Sequence, residues 1–257
     1  MLSSRTPNKV GEFMKVVAII QARMGSTRLS GKVMKDIKGK TVLSHVIERV
    51  KQSKLITDII IATTVLERDS VIDMEAIKCG AKVFRGSEDD VLSRYYYASK
   101  ENNADVVVRI TSDCPVIDPF VIDEIITFYL KGKYDLVTNA GSDITQRTYP
   151  RGLDTEVFSI ESLEASFINA KEKHQREHVT PYIYENSNKI NYFKNDIDYS
   201  KHRWTVDTKE DFELITEIYD KLYKGNHDFH LNEIIELFKQ DPNLFSINAH
   251  IEQKKTK

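Results

Sequence analysis

Cysteine is nearly absent: only Cys79 and Cys114 occur in 257 residues, too few for a disulfide framework or a cysteine-rich metal site. No apolar run approaches the ~18 residues that mark a membrane-spanning helix. The N-terminal MLSSRTPNKVGEF lacks the apolar core of a secretory signal. Formal net charge is −2 and the basic residues are spread along the chain, which argues against a dedicated nucleic-acid-binding face. There is no internal repeat and no low-complexity segment. A cytoplasmic protein that binds neither nucleic acid nor membrane is the simplest expectation.

What is present is ordinary in amount and ordered in pattern. Charged residues make up 30% and apolar residues 40%, and the length suffices for a large α/β domain with a proper core. The expected organisation is a disordered leader over 1–13, with Met14 as an alternative start, a single domain over 14–245 and a polar tail over 246–257. Short β-branched runs at 16–20, 58–63, 82–85 and 105–110 alternate with helical patterns at 41–51, 69–79 and 89–100. That alternation predicts a mostly parallel sheet flanked by helices. Pro119 opens a further helix to about Leu130, and DLVTN predicts a strand. Beyond Gly141 the polar segment GSDITQRTYPRG has no period and reads as a substrate loop or lid. After it, LDTEVFS, KINYFKN and RWTV read as strands, and 162–173, 177–186, 209–223 and 231–239 as helices, with Pro181 fitting a first turn after a break.

The stretch with most chemistry is KVVAIIQARMGSTRLSGKVM, Lys15 to Met34. A buried-type strand breaks there into a loop holding Gly25, Gly31, Arg23, Arg28 and Lys32, with hydroxyls on Ser26 and Thr27. Open α/β sheets bind ligands at that carboxyl edge. Guanidinium forks and a lysine point charge suit phosphate oxygens, so a nucleoside triphosphate is the predicted ligand. Both familiar phosphate-loop patterns fail. Five residues separate Gly25 from Gly31, Val33 replaces the metal-binding hydroxyl of a Walker A loop, and G-x-G-x-x-G does not occur.

Two aspartates follow predicted strands. Asp113 lies beyond VVVRI and Asp207 beyond RWTV, where either can hold magnesium. Asp113 can equally shape the turn before Pro115, and Asp207-Thr208 can equally cap the next helix. Glu210 and Asp211 read as first-turn helix residues.

QARMGSTRLSGKVM, EDDVLSRYYYAS, RITSDCPVIDP, RGLDTEVF, REHVTPYIY and RWTVDTKED, taken in this order, resemble the cytidylyltransferases that make CMP-activated acidic sugars. The branch they resemble is related to the spore-coat polysaccharide protein F and to 3-deoxy-manno-octulosonate cytidylyltransferase. The likeness covers nearly all of residues 14–224. It implies a Rossmann-like nucleotidyltransferase fold with a small β-rich insertion, and transfer of CMP from CTP to an acidic sugar or phosphorylated acceptor for surface glycan synthesis. It also implies Mg2+ on Asp113 and Asp207, with Arg23 and Lys32 completing the catalytic set. Ala22, Gly25, Ser26, Arg28, Thr63, Ser87 and Arg94 are then the nucleotide contacts. Arg147, Arg151, Asp154, Glu156, Arg176, Glu177 and His178 are the acceptor contacts, and residues 141–200 are the region that pairs subunits in a homodimer. The acceptor motifs of the sialic-acid and octulosonate enzymes are not present in full, which leaves the acceptor open.

Three rival readings remain at this level. A GTP or UTP user would carry a similar loop and aspartate. A sugar-nucleotide glycosyltransferase would show a D-x-D pair where TSDCP has one acid. A nucleotide-binding module without activity would lack Lys32 or an aspartate, and all three are present.

Overall fold

A computed structural model describes residues 14–252; the predicted leader and the last five residues of the tail lie outside the described residues. The elements run β1 (Val16–Gln21), a small antiparallel pair β2 (Asp36–Ile37) and β3 (Lys40–Thr41), α1 (Val42–Val50), β4 (Asp58–Thr64), α2 (Ser70–Lys78), β5 (Lys82–Gly86), α3 (Val91–Glu101), β6 (Val106–Thr111), α4 (Pro119–Lys131) and β7 (Leu136–Thr138). Then come β8 (Glu156–Ser159), α5 (Ile160–Asn169), α6 (Lys173–His178), α7 (Pro181–Asn186), β9 (Ile190–Tyr192), α8 (Lys209–Leu222), α9 (Leu231–Gln240) and α10 (Asn243–Asn248).

β1 has no wet face. Val17 through Ile20 are fully buried, so the strand requires cover on both sides. Alternation divides its side chains between two cores. Val16, Ala18 and Ile20 pack with α1, α2, α4, α8 and α9, while Val17 and Ile19 pack with α3, α5 and α7. The seven-stranded sheet has the order β5-β4-β1-β6-β8-β7-β9. Every pairing is parallel except those of β8, which runs antiparallel between β6 and β7. The sheet is therefore mostly parallel, as predicted, and its later strands join the central sheet directly.

Three sequence readings change and one is sharpened. RWTV is not a strand. It crosses the carboxyl edge in extended form, and its amides are shared between two loops: Trp204 N–H donates to Arg151 O (2.7 Å) and Val206 N–H to Asp113 O (2.8 Å). The helical reading of 177–186 is sharpened: the break that Pro181 allows falls at Val179, in a positive-φ conformation (72°), and Pro181 opens α7 in its first turn after α6. The helix predicted over 162–173 stops at Asn169. Finally, the boundary drawn at residue 245 cuts α10. Its Asn248 is buried and donates to Arg203 O and Asp211 Oδ1, both at 2.8 Å, so these residues belong to the packed domain.

Candidate active site

The loop after β1 is anchored at several points. Ala22 N–H donates to Ala62 O on the neighbouring strand (3.2 Å). Met24 N–H donates to Asp69 Oδ1 (2.7 Å), and the other oxygen of this fully buried aspartate accepts from Thr64. Gly31 has φ 61° and opens a single 3-10 turn, Lys32–Met34, whose Val33 is buried in the core. The residue at the Walker hydroxyl position is thus a packing residue. The turn aims Lys32 away from the core and across the sheet edge.

There Lys32 Nζ donates to Asp113 Oδ2 (2.6 Å) and Asp207 Oδ1 (2.7 Å), carboxylates separated by 94 positions in the chain. Arg28 reaches the other oxygen of Asp207 at 2.9 Å, and Arg203 reaches it at 2.9 Å from behind. Burial would lower the Lys32 pKa, but the two aspartates outweigh it and raise it. Burial would likewise raise Asp113, and the Lys32 charge and hydrogen bond hold it below the ordinary carboxylate value. Asp113 does lie in a turn, as the sequence allows, and its carboxylate still meets Lys32. Thr208, not Asp207, caps α8, with Asp211 closing the capping box. Asp113 accepts from Thr111 Oγ1 (2.5 Å), while its backbone carbonyl accepts from Val206 N–H and Thr205 Oγ1.

A cavity of about 130 Å3 opens beside this cluster, lined by Asp113, Cys114, Arg151, Gly152, Asp154 and Asp207 among others. Gly152 is needed there twice over. Its φ is 103°, and a Cβ would collide with the Trp204 carbonyl. Arg147 grips Asp154 with two hydrogen bonds (2.6 and 3.0 Å), which overcome burial and depress the Asp154 carboxyl. Arg151 differs. Among the described residues no carboxylate lies within ion-pair distance of it, and burial together with the neighbouring Arg147 charge lowers its pKa.

The remaining predicted residues separate into groups. Arg23 turns away from Lys32 to face Glu88 (3.9 Å), so the three loop cations do not converge on one point. Gly25 lies against Arg68 and Glu88, where an added Cβ would meet both at 3.1 Å. Arg94 is buried and donates to the Ser87 carbonyl (2.5 Å), with burial lowering its pKa; among the described residues its Nε and the buried Thr63 hydroxyl have no hydrogen-bond partner. Ser26 N–H folds back onto Met24 O (2.8 Å). Five predicted acceptor residues do not line the cavity; one of them, Arg147, reaches it only through Asp154. Glu156 is consumed by Arg109 (2.6 Å), Tyr184 (2.7 Å) and Thr180 (3.1 Å). Arg176 pairs with Asp90, donates to Phe167 O (2.8 Å) and lies over the Phe167 ring. Glu177 and His178 are on the same helix, α6, and burial lowers the His178 pKa.

Three supporting residues escaped sequence reasoning: Asp69, Gly152 and Arg203. Arg203 had a legible signal in its spacing to Asp207 and Asp211, at i+4 and i+8. Asp69 had none, because its partner is a backbone amide 45 residues away.

As a cation site, the cluster offers two hard carboxylates converging on one ammonium. Among the described residues no group of three or more His, Cys, Asp or Glu could hold a metal. Two carboxylates suit Mg2+, which keeps waters and takes substrate phosphates as its other ligands.

A basic loop and paired aspartates at the carboxyl edge of a mostly parallel sheet define a nucleotidyltransferase. The chain belongs to the cytidylyltransferase family, whose model, described as Cytidylyltransferase, matches residues 17–251. An uncharacterised protein of Methanocaldococcus jannaschii is 41% identical over 94% of this chain and 97% of its own. The spore coat polysaccharide biosynthesis protein SpsF of Bacillus subtilis is 34% identical over 88% of this chain and 95% of its own. A solved cytidylyltransferase from Leptospira borgpetersenii superposes with a TM-score of 0.85 at 35% identity, covering 95% of this chain and all of that one. Among the described residues no helix is long and apolar enough to cross a membrane.

Proposed function

We propose that this enzyme transfers CMP from CTP to a small anionic acceptor, with Mg2+ held by Asp113 and Asp207. The acceptor oxygen bonds to the α-phosphorus, the bond from that phosphorus to the α,β-bridging oxygen breaks, and pyrophosphate leaves. Such a transfer needs positioning and charge neutralisation more than covalent work from the protein. The observation that carries the reading is the convergence of Lys32, Asp113 and Asp207 at the mouth of the cavity. Arg28 and Lys32 neutralise the outer phosphates, while Arg23 lies on the other flank of the loop with Glu88. Arg94 and Thr63 offer polar atoms without hydrogen-bond partners for the nucleoside. Arg151, which has no paired carboxylate among the described residues, binds the acceptor's carboxylate or phosphate, and Asp154 accepts from its hydroxyls. Mg2+, when bound, supplies positive charge to the triphosphate oxygens. Similarity to SpsF supports a product destined for a surface glycan.

The test is a panel of the four triphosphates against acidic sugars and phosphorylated acceptors, read as pyrophosphate release. Turnover is expected with CTP, and only when a divalent metal and an anionic acceptor are both present. Release from GTP or UTP but not CTP would overturn the base assignment.

A further inference from the structure

The cations assigned to the triphosphate also meet the carboxylates assigned to the metal. Lys32 bridges the two carboxylates assigned to the metal, and Arg28 holds the free oxygen of one of them. Arg203 completes the set from behind by pairing with both Asp207 and Asp211. Three cations therefore face Asp113, Asp207 and Asp211, and the charges of these six side chains balance. The Lys32 side chain is 13% exposed and the Asp207 side chain 11%, so these charges are little screened by water.

We propose that Lys32 and Arg28 are counter-ions stored on the metal carboxylates, so that the site excludes a free divalent ion and takes the metal–triphosphate complex as one unit. The proposal rests on the reading that Asp113 and Asp207 hold the metal. A bare divalent ion must displace the Lys32 ammonium from both of its carboxylates and brings no anion of its own to receive it. Only two carboxylates are offered in exchange, and no third acidic or imidazole ligand stands ready among the described residues. A bare triphosphate would draw Lys32 and Arg28 off the aspartates, leaving Asp113 without a cation and Asp207 with Arg203 alone, which is costly. The complex avoids both penalties. Its phosphates receive the lysine and arginine as its metal receives the carboxylates, and every charge stays paired throughout the exchange. Differential affinity of this kind is a coupling free energy, and it acts equally in both directions. Lys32 is then a positioning residue for the carboxylates before nucleotide arrives and a phosphate ligand afterwards.

The experiment is binding of Mn2+ alone, without nucleotide, to the full chain, followed by isothermal titration calorimetry and by the loss of the free-ion electron paramagnetic resonance signal. Wild type is expected to bind weakly, and Lys32→Met to bind tighter by on the order of tenfold or more, since an ammonium no longer competes for the site. Arg28→Met should tighten binding by a smaller factor, because Arg28 is more exposed and touches only Asp207. Unchanged or weaker Mn2+ binding in Lys32→Met overturns the proposal. Should that variant fail to fold, unchanged binding in Arg28→Met overturns it instead. Adding Asp113→Asn to Lys32→Met separates the two levels. If the added substitution abolishes Mn2+ binding while Lys32→Met alone equals wild type, the metal site stands and counter-ion storage falls. If it changes nothing, the ion binds elsewhere and the metal assignment itself falls.

Discussion

Two ionic clusters lie four residues apart along one strand, and they do opposite things. Arg109 sits within β6 directly opposite Glu156 of β8, and the pair is sealed by Tyr184 and Thr180. Asp113 sits just past the end of the same strand, pairs with a lysine from a loop, and faces a cavity. Both are carboxylate–cation pairs of similar length. In the first, hydrogen bonds from adjoining elements claim the carboxylate, so it fixes β8 and α7 against the sheet. In the second, the partner comes from a single turn and can be traded for a ligand. Burial and access to the cavity, not residue type, separate a structural ion pair from one open to a ligand.

Three substitutions test that contrast. The largest effect is expected at the open cluster: Asp113→Asn and Asp207→Asn should each lower pyrophosphate release by about 10³-fold, the scale of losing a key electrostatic contact. Their melting temperatures should stay within a few degrees of wild type, because Arg203 keeps Asp211 and the Thr111 hydroxyl keeps an oxygen partner. Near-normal turnover in either variant would return that aspartate to a turn-forming role. At the closed cluster the signs reverse. Glu156→Ala should cost about 3 kcal/mol in denaturant unfolding by stranding the largely buried Arg109 guanidinium. An unchanged midpoint with a raised KM for the acceptor would instead put Glu156 back in the acceptor site.

The smallest effect concerns the apolar wall behind the open cluster, where His202 packs against Trp204, Phe238 and Phe245. Burial, and then the Lys201 charge, lower its pKa to about 4. The unfolded chain takes up this proton near pH 6.5 and the fold only near pH 4, so between those values the unfolded state binds more protons. Stability is therefore lost as pH falls through that window, and nothing is lost above it. With allowance for partial solvent screening, His202 should account for about 1–2 kcal/mol between pH 7.5 and pH 5. His202→Phe should flatten that part of the unfolding profile, and an unaltered slope would show that His202 is not its source.

The same contrast explains what could be read in advance. The opening strand and loop were legible because an uninterrupted β-branched run, two glycines and three cations act locally. Asp113 and Asp207 were legible as acids following apolar stretches, although RWTV proved to be extended chain and not a strand. Asp154 and Glu156 were indistinguishable in sequence, being two acids two residues apart. Asp154 precedes β8 and lines the cavity, whereas Glu156 begins the strand and meets Arg109 in register. That register exists only because β8 inserts antiparallel between β6 and β7. Arg176 likewise looks available in the sequence, but in the fold it meets Asp90, the cap of α3, and Phe167 of α5.

Local pattern was enough to establish the alternating strands and helices, the phosphate-type loop at a strand end and the acids that follow it. These depend on side-chain period, backbone freedom and charge within a few residues. The pairing of Lys32 with two aspartates from distant segments was decided by the tertiary fold alone, as were the division of the loop cations and the sealing of Glu156. Each depends on distances between segments up to 175 residues apart, and those distances are set by how the sheet is ordered and covered.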